Sequence, residues 1–371
     1  FVYEWNLENG ALIFSKQVNT YMGTAITYMP DSKNIVSCGA GNEITVLRAD
    51  EGKVIKTFKG NTSSIESITF RKNDNLLASA HWDSRIRLFN LYKCKLEGSI
   101  FVDNYILNDI MFSPKKNEIV ISAQKPGVSF YRLDEKKLKI ENFSEHGANN
   151  MAISKNGKFI AVAVSDSCIV YDADNFKILA KSKHITDARA VAFSNDDKLV
   201  FSAGRDSVLI VTSIETGKEI RRIKKLKSKA ESIAVSPDNI HIAIGLWTGE
   251  ILIVNQQSLA IEKTIKPHHW IVSTLMFNPI DNSLLSASWD KNVCLTDWVN
   301  SKEIGKYSGH TNSVMTASFS SDGRYIFSGG WDNQIKIIDT KKMVEICTII
   351  PIDEEDYLII TPEMYYMCTP D

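Results

Sequence analysis

No stretch of this 371-residue sequence approaches the roughly 20 consecutive apolar residues that a membrane-spanning helix needs. Charge of either sign is not in excess. With 43 basic against 44 acidic side chains the net charge is −1, so composition gives no pull towards nucleic acid or an acidic membrane surface. The six cysteines (Cys38, Cys94, Cys168, Cys294, Cys347 and Cys368) are scattered, with no CxxC pair and no metal-ligand spacing. Most fall in strand-like apolar stretches, where buried free thiols and a reducing, cytoplasmic compartment are expected. There is neither a P-loop nor a dinucleotide-binding glycine fingerprint, and no cofactor is expected. No segment keeps helical 3.6-residue periodicity over ten residues, which excludes a helical fold. The sequence opens on Phe1 rather than Met, so it carries no information on a targeting peptide.

What is present is repetition. A turn signal of the form F-S-P-D-G recurs, with its second position at Met29, Arg71, Ser113, Ser154, Ser194, Ser236, Asn278, Ser320 and Thr361. Successive steps lie between 40 and 42 residues. A chain longer than one ordinary core can serve grows either by splitting or by repeating, and a period of ~40–45 is that of a four-stranded propeller blade. In the last complete unit, 303–308 reads as an outer strand and Gly309-His310 as a loop. Then follow strand Val314–Phe319, turn Ser320-Ser321-Asp322-Gly323, strand Arg324–Gly329, turn Trp331-Asp332-Asn333 and strand Gln334–Ile338. The expected fold is therefore all-β, a propeller of four-stranded antiparallel blades over residues 1–371. Eight units are complete. Residues 1–17 and 356–369 look like two halves of another, giving nine blades if the termini pair and eight otherwise, and pairing would remove exposed sheet edges.

Specific residues resemble the WD-repeat family. His184–Asp206, His268–Asp290 and His310–Asp332 are each 22 residues apart, and Asn61–Asp83 keeps the spacing. A serine precedes each Asp by four residues, at Ser79, Ser202, Ser286 and Ser328. The tryptophan that ends the family's third strand is kept at Trp5, replaced by Phe89 and Tyr171, and lost at Thr212, Thr296 and Ile338. The resemblance implies that these His, Ser and Asp side chains form a buried network pinning each loop to its turn. Although the trio contains the parts of a hydrolase triad, it recurs in three units at one spacing, whereas a catalytic site need occur once. Carboxylates that could face a central channel are Glu66, Asp109 and Glu231, read as sharing no repeat position and lacking clustered histidines. No enzyme and no metal site is expected.

The position before the turn Asp carries Trp82, Trp247, Trp289 and Trp331, with Arg205 in another unit. By resemblance this position lies on the broad top face around the channel mouth. Trp247, Trp289 and Trp331 belong to consecutive units and are expected to form an arc, extended by Trp270. Trp and Arg are the residues enriched at interface hot spots, so a protein or peptide partner is expected there. The basic run Arg221–Lys229 is read as a solvated outer edge, with nucleic acid the lesser reading. Residues 352–371 resemble a segment near the end of bacterial WD-repeat regions, where an effector module such as a caspase-like peptidase often follows, although Met364 replaces the family's glycine. Two functional expectations result: a non-enzymatic scaffold, and a sensing or docking part of a larger enzyme.

Overall fold

A four-stranded antiparallel sheet is built seven times in succession between residues 65 and 351. The computed structural model describes residues 2–5, 11–16, 23–28, 34–39, 43–59, 64–93, 95–102, 106–114, 116–123, 128–134, 137–141, 147–351 and 357–368. The described chain divides into two compact units, one formed by residues 63–349 and 359–367, the other by 1–62, 350–358 and 368–371. In the larger unit the inner strands are Ile65–Arg71, Leu107–Phe112, Ala148–Ile153, Ala188–Phe193, Ala230–Val235, Val272–Phe277 and Val314–Phe319. Each is followed outwards by its second, third and fourth strands in chain order. Every inner strand packs on the next, and the seventh packs on the first. The larger unit is thus a closed propeller of seven blades.

This corrects the expected count of eight or nine. The first of the eight repeats, with strands Gly23–Tyr28, Asn34–Gly39, Glu43–Arg48 and Val54–Lys59, does form a four-stranded sheet, but it belongs to the other unit. Its described core is Ile35 and Leu47 with Phe14 and Ala49 against them. Among the described residues the strands at the chain ends fall in separate sheets. Val2–Trp5 pairs with Leu12–Lys16, while Tyr357–Ile360 and Tyr366–Cys368 continue the strand order of the seventh blade. The outer strand of each sequence unit also belongs to the preceding blade: Lys302–Tyr307 completes blade 6.

The turn signal has a local cause. Ser154, Ser194, Ser236 and Ser320 are buried, and each hydroxyl accepts the amide five residues on, from Phe159, Leu199, His241 and Tyr325 at 2.9–3.0 Å. Three or four residues after this Ser or its counterpart comes a left-handed residue, filled by Gly157, Asp197, Asn239, Asn282 and Gly323. Only Gly, Asn and Asp take that conformation at little cost, which is why the motif's last letter varies among them.

The core lies between blades rather than inside any one. Separate apolar clusters join blade 1 to 2, 2 to 3, 3 to 4, 4 to 5, 5 to 6 and 6 to 7. One position on every second strand faces the neighbouring inner strand: Ala80, Ser122, Ala163, Ala203, Gly245, Ala287 and Gly329. All seven are small and buried. At the closure between blades 7 and 1 the space is as tight as at Gly245. A Cβ on Gly329 would stand 2.7 Å from Ile65 Cγ2 and Ile68 Cδ1, and Phe327 meets Phe70 at 5.1 Å between ring centres. Overpacking a filled core costs about 1–3 kcal/mol. Gly329→Val is accordingly expected to lower the unfolding free energy by about 2–3 kcal/mol or more, read from the denaturant midpoint at unchanged slope.

Candidate functional site

The inner strands share an irregularity that builds the site. In all seven blades the pairing register between first and second strand shifts at the second residue of the inner strand. A bulge re-aims the side chain it carries. The seven bulge residues are Glu66, Asn108, Asn149, Arg189, Glu231, Ser273 and Met315. Several of them reach the next blade: Asn108 Nδ2 donates to Ala148 O at 2.6 Å, Asn149 Nδ2 to Ala188 O at 2.9 Å and Ser273 Oγ to Val314 O at 2.6 Å. Glu66 and Glu231 therefore do share one repeat position, contrary to the sequence reading. The tripeptide Glu-Ser-Ile at 66–68 and 231–233 was the available signal.

Asp109 occupies the following position and is the hub of a bonded row across four blades. Its Oδ1 accepts the Ser67 hydroxyl at 2.6 Å and the Ile110 amide at 2.9 Å. Its Oδ2 accepts Asn150 Nδ2 at 3.1 Å and the Met151 amide at 3.2 Å, while Asn150 Oδ1 takes the Val191 amide. Burial pushes the Asp109 carboxyl up to about 6, against the lowering pull of Ser67 and the two amides. With every oxygen committed, this carboxylate is a structural acceptor. The three inner-strand carboxylates do not converge on one point, and among the described residues no group of three or more His, Cys, Asp or Glu side chains could hold a metal ion.

The His–Ser–Asp trios lie at the edge of the same face. His184 Nδ1 lies 3.0 Å from Asp206 Oδ2 and its Nε2 3.0 Å from Ser202 Oγ. His268 meets Asp290 at 3.1 Å and Ser286 at 2.9 Å, and His310 meets Asp332 and Ser328 at 2.8 Å each. All three imidazoles have no exposed side-chain surface. Each Asp also accepts the amide of the residue after the His (Ile185, His269 or Thr311), so it holds loop and turn together. The geometry copies a hydrolase triad, but a sealed serine has nothing to attack. Although burial by itself raises Asp290, the bonds and charge of His268 hold its carboxyl far below the usual range. Burial lowers His184.

Blade 1 solves the same problem with residues the sequence reading missed. The expected Asn61 lies outside the described residues. Ser79 Oγ meets His81 Nε2 at 2.8 Å, and the fully buried Arg87 pairs with Asp83 at 2.8 Å. A charged residue inside an otherwise apolar third strand was the sign. At the end of the third strands, Phe89, Tyr171, Thr212, Thr296 and Ile338 are all buried. The side chain of Trp5 is not described.

The tryptophans before Asp83, Thr248, Asp290 and Asp332 all follow the second strand of their blade and bond back to the start of its inner strand. The amides of Trp82, Trp247, Trp289 and Trp331, and that of Arg205, bond the carbonyls of Ser64, Lys229, Ile271, Ser313 and Asp187. They fall into two groups rather than one arc. Trp82, Trp331, Trp289 and Trp270 form a continuous ladder with ring centres 5.8, 5.2 and 5.8 Å apart. The ladder crosses blades 1, 7 and 6. Its two ends are open, Trp82 being 46% and Trp270 51% exposed. In the middle, Trp331 Nε1 donates to Glu66 Oε1 at 2.9 Å, and Trp82 also favours the ionised form of that carboxylate. Burial raises the Glu66 carboxyl, opposed by those two indoles and the charge of Arg189. Trp247 stands apart. Its Nε1 donates to Glu231 Oε2 at 2.9 Å, and Arg205 and Lys229 lie 5.2 and 4.6 Å from its ring centre.

The basic run is largely spoken for. Arg221 donates to the carbonyls of Gln256 and Gln257, Arg222 pairs with Glu219, Lys227 lies 3.8 Å from Glu250, and Lys229 covers Trp247. Of the tail, 352–356 lie outside the described residues. Met364 sits at φ +67°, the left-handed conformation that the glycine of the resembled segment would take freely. Cys168 and Cys294 are free and buried, which pushes both thiols up to about 12. No helix among the described residues is long and apolar enough to cross a membrane.

Known proteins match parts of this sequence. The sequence model of the WD domain, G-beta repeat, matches residues 52–90, 260–297 and 301–339. These three segments are WD40 repeats. The chain is similar to the periodic tryptophan protein 2 homolog of Dictyostelium discoideum, 27% identical over 207 residues, covering 54% of this chain and 22% of that protein. It is also similar to autophagy-related protein 16 of Arabidopsis thaliana, 22% identical over 302 residues, covering 79% of this chain and 50% of that protein. A third is the WD repeat-containing protein 91 homolog of D. discoideum, 22% identical over 355 residues, covering 91% and 41% respectively. The chain spans half or less of the length of these relatives. None of the three bears a peptidase name, so the caspase-like tail gains no support from them.

Two outcomes are expected of the buried polar groups. Asp290→Ala strands the His268 ring and the His269 and Asn292 amides, and is expected to cost about 2–4 kcal/mol at pH 7 by denaturant unfolding. Asp109 acts in the opposite pH sense. A folded-state value above the unfolded one means the native protein binds the extra proton, so this group's stabilisation is full below about pH 4 and is lost as pH rises through about 6. The stability difference between wild type and Asp109→Asn should then be more favourable to wild type at pH 4.5 than at pH 7.5, by on the order of 1 kcal/mol.

Proposed function

We propose that the propeller is a non-enzymatic scaffold that holds a protein or peptide partner on the face carrying the tryptophan ladder. One observation carries this reading: four indoles in unbroken contact, pinned at their centre by Glu66 and half exposed at both ends. A rigid aromatic strip that loses little side-chain freedom on binding is what an interface hot spot requires. The sealed His–Ser–Asp trios and the fully bonded Asp109 support a holding role over a chemical one. Arg205 and Trp247 belong to the border of the surface, already engaged with each other.

The reading is tested on the two ladder ends, whose exposure lets them be cut back without opening the core. Partner recovered from native lysate by the intact chain should fall by more than about tenfold with Trp82→Ala/Trp270→Ala, since hot-spot truncation costs ~2 kcal/mol or more. Val299→Ala, exposed on the turn after the third strand of blade 6, should leave recovery unchanged. Equal recovery by all three proteins would place the partner elsewhere.

A further inference from the structure

An indole bonded to a bulge carboxylate occurs twice on this face, from the same blade at Trp247–Glu231 and from the preceding blade at Trp331–Glu66, and only the first carries cations of the chain itself. At blade 5, Trp247 Nε1 donates to Glu231, and the indole carries two cations of the chain's own, the Arg205 guanidinium and the Lys229 ammonium. At the junction of blades 7 and 1, Trp331 Nε1 donates to Glu66 at the same distance, 2.9 Å, from the equivalent bulge position. Trp82 and Trp289 enlarge the aromatic surface around it. Among the described residues no guanidinium or ammonium is seated over Trp82, Trp289 or Trp331. Arg189 binds Glu231 through Nε at 2.9 Å and reaches Glu66 only through space.

Charge at the inner strands points the same way. Glu66, Asp109 and Glu231 stand against two guanidinium groups, both already paired: Arg189 with Glu231, and Arg71, at the far end of its strand, with Asp74. An indole face beside a carboxylate attracts a cation through both the ring quadrupole and the charge. A guanidinium suits the pair better than an ammonium, because it is planar, weakly hydrated, and can stack while donating sideways. We propose that Trp82, Trp331 and Glu66 receive an arginine side chain of the bound partner, in the role that Arg205 and Lys229 fill at Trp247. Trp289 and the exposed Trp270 then take the apolar residues beside that arginine. This inference rests on the ladder being the partner face.

The test uses the full chain and two probe peptides, acetyl-Gly-Gly-Arg-Gly-Gly-amide and its uncharged citrulline twin, with the indole N–H signals followed by NMR. Saturable shifts are expected at Trp82, Trp331 and Trp289 and none at Trp247, with citrulline binding about tenfold weaker or more, the size of a cation–π contact of ~1–2 kcal/mol. Glu66→Gln, which keeps an acceptor for the Trp331 indole, should weaken the arginine peptide several-fold. Arg205→Ala/Lys229→Ala should make Trp247 respond as well. Equal binding of the two peptides, no saturable shift, or a silent Trp247 in the double variant would each overturn the proposal. If partner recovery depends on Trp82 and Trp270 while the arginine peptide has no effect, the scaffold reading stands and this inference falls.

Discussion

How closely one blade's inner strand can approach its neighbour's second strand governs the rest of the ring. That distance is set by a single residue per blade, and all seven blades place Ala, Ser or Gly there. With the gap closed, large aliphatic side chains from adjacent blades interdigitate into one cluster after another. Each fully buried Leu or Ile contributes on the order of 1.5–3 kcal/mol from area removed from water. A blade has no core of its own, so its stability comes from its neighbours, as in other repeat architectures. The seventh junction must close as well as the first six, and there Gly329 admits Ile65 and Ile68.

Close approach creates a polar problem, and its solution makes the functional face. The bulge at the start of each inner strand frees a side chain from the sheet, and most of these side chains turn to the neighbouring blade or to a tryptophan. Asn108, Asn149 and Ser273 bind the next blade's carbonyls, whereas Glu66 and Glu231 turn to indole N–H groups. The carboxylates orient Trp331 and Trp247, and Trp331 in turn sets the line of the ladder. Further out, two of the His–Ser–Asp trios fix the turns that carry Trp289 and Trp331, and the third fixes the turn that carries Arg205. Structure and surface are thus one network, and the residues that resemble catalytic groups serve as its fasteners.

The fold was largely legible because the turn signal marks the first hairpin of each blade, and where it holds a serine that serine has one buried job. The blade number was not, because a 42-residue period is the same whether or not a repeat joins the ring. The sheet at 23–59 keeps the period yet belongs to the other compact unit. Trp82, Trp289 and Trp331 could be named from spacing, and Trp270 from its loop. Their division from Trp247 could not, because it depends on Arg205 and Lys229 lying over one ring. His81 and Arg87 escaped notice because blade 1 rebuilds its fastener from strand positions rather than from the loop. Glu66 and Glu231 were legible in principle, through the repeated Glu-Ser-Ile, once the inner strands are aligned on their bulge.

The account stands most directly on the closure of seven blades within residues 63–349. A fragment of those residues, expressed alone and unfolded in denaturant, should be monomeric and lose its β-sheet signal and its tryptophan fluorescence change in one coincident cooperative transition. Its slope should match the surface that a chain of that length exposes on unfolding. A fragment that stays unfolded, aggregates, or regains a cooperative transition only when residues 1–62 are supplied would show that the ring needs a further repeat, and would contradict the seven-bladed closure.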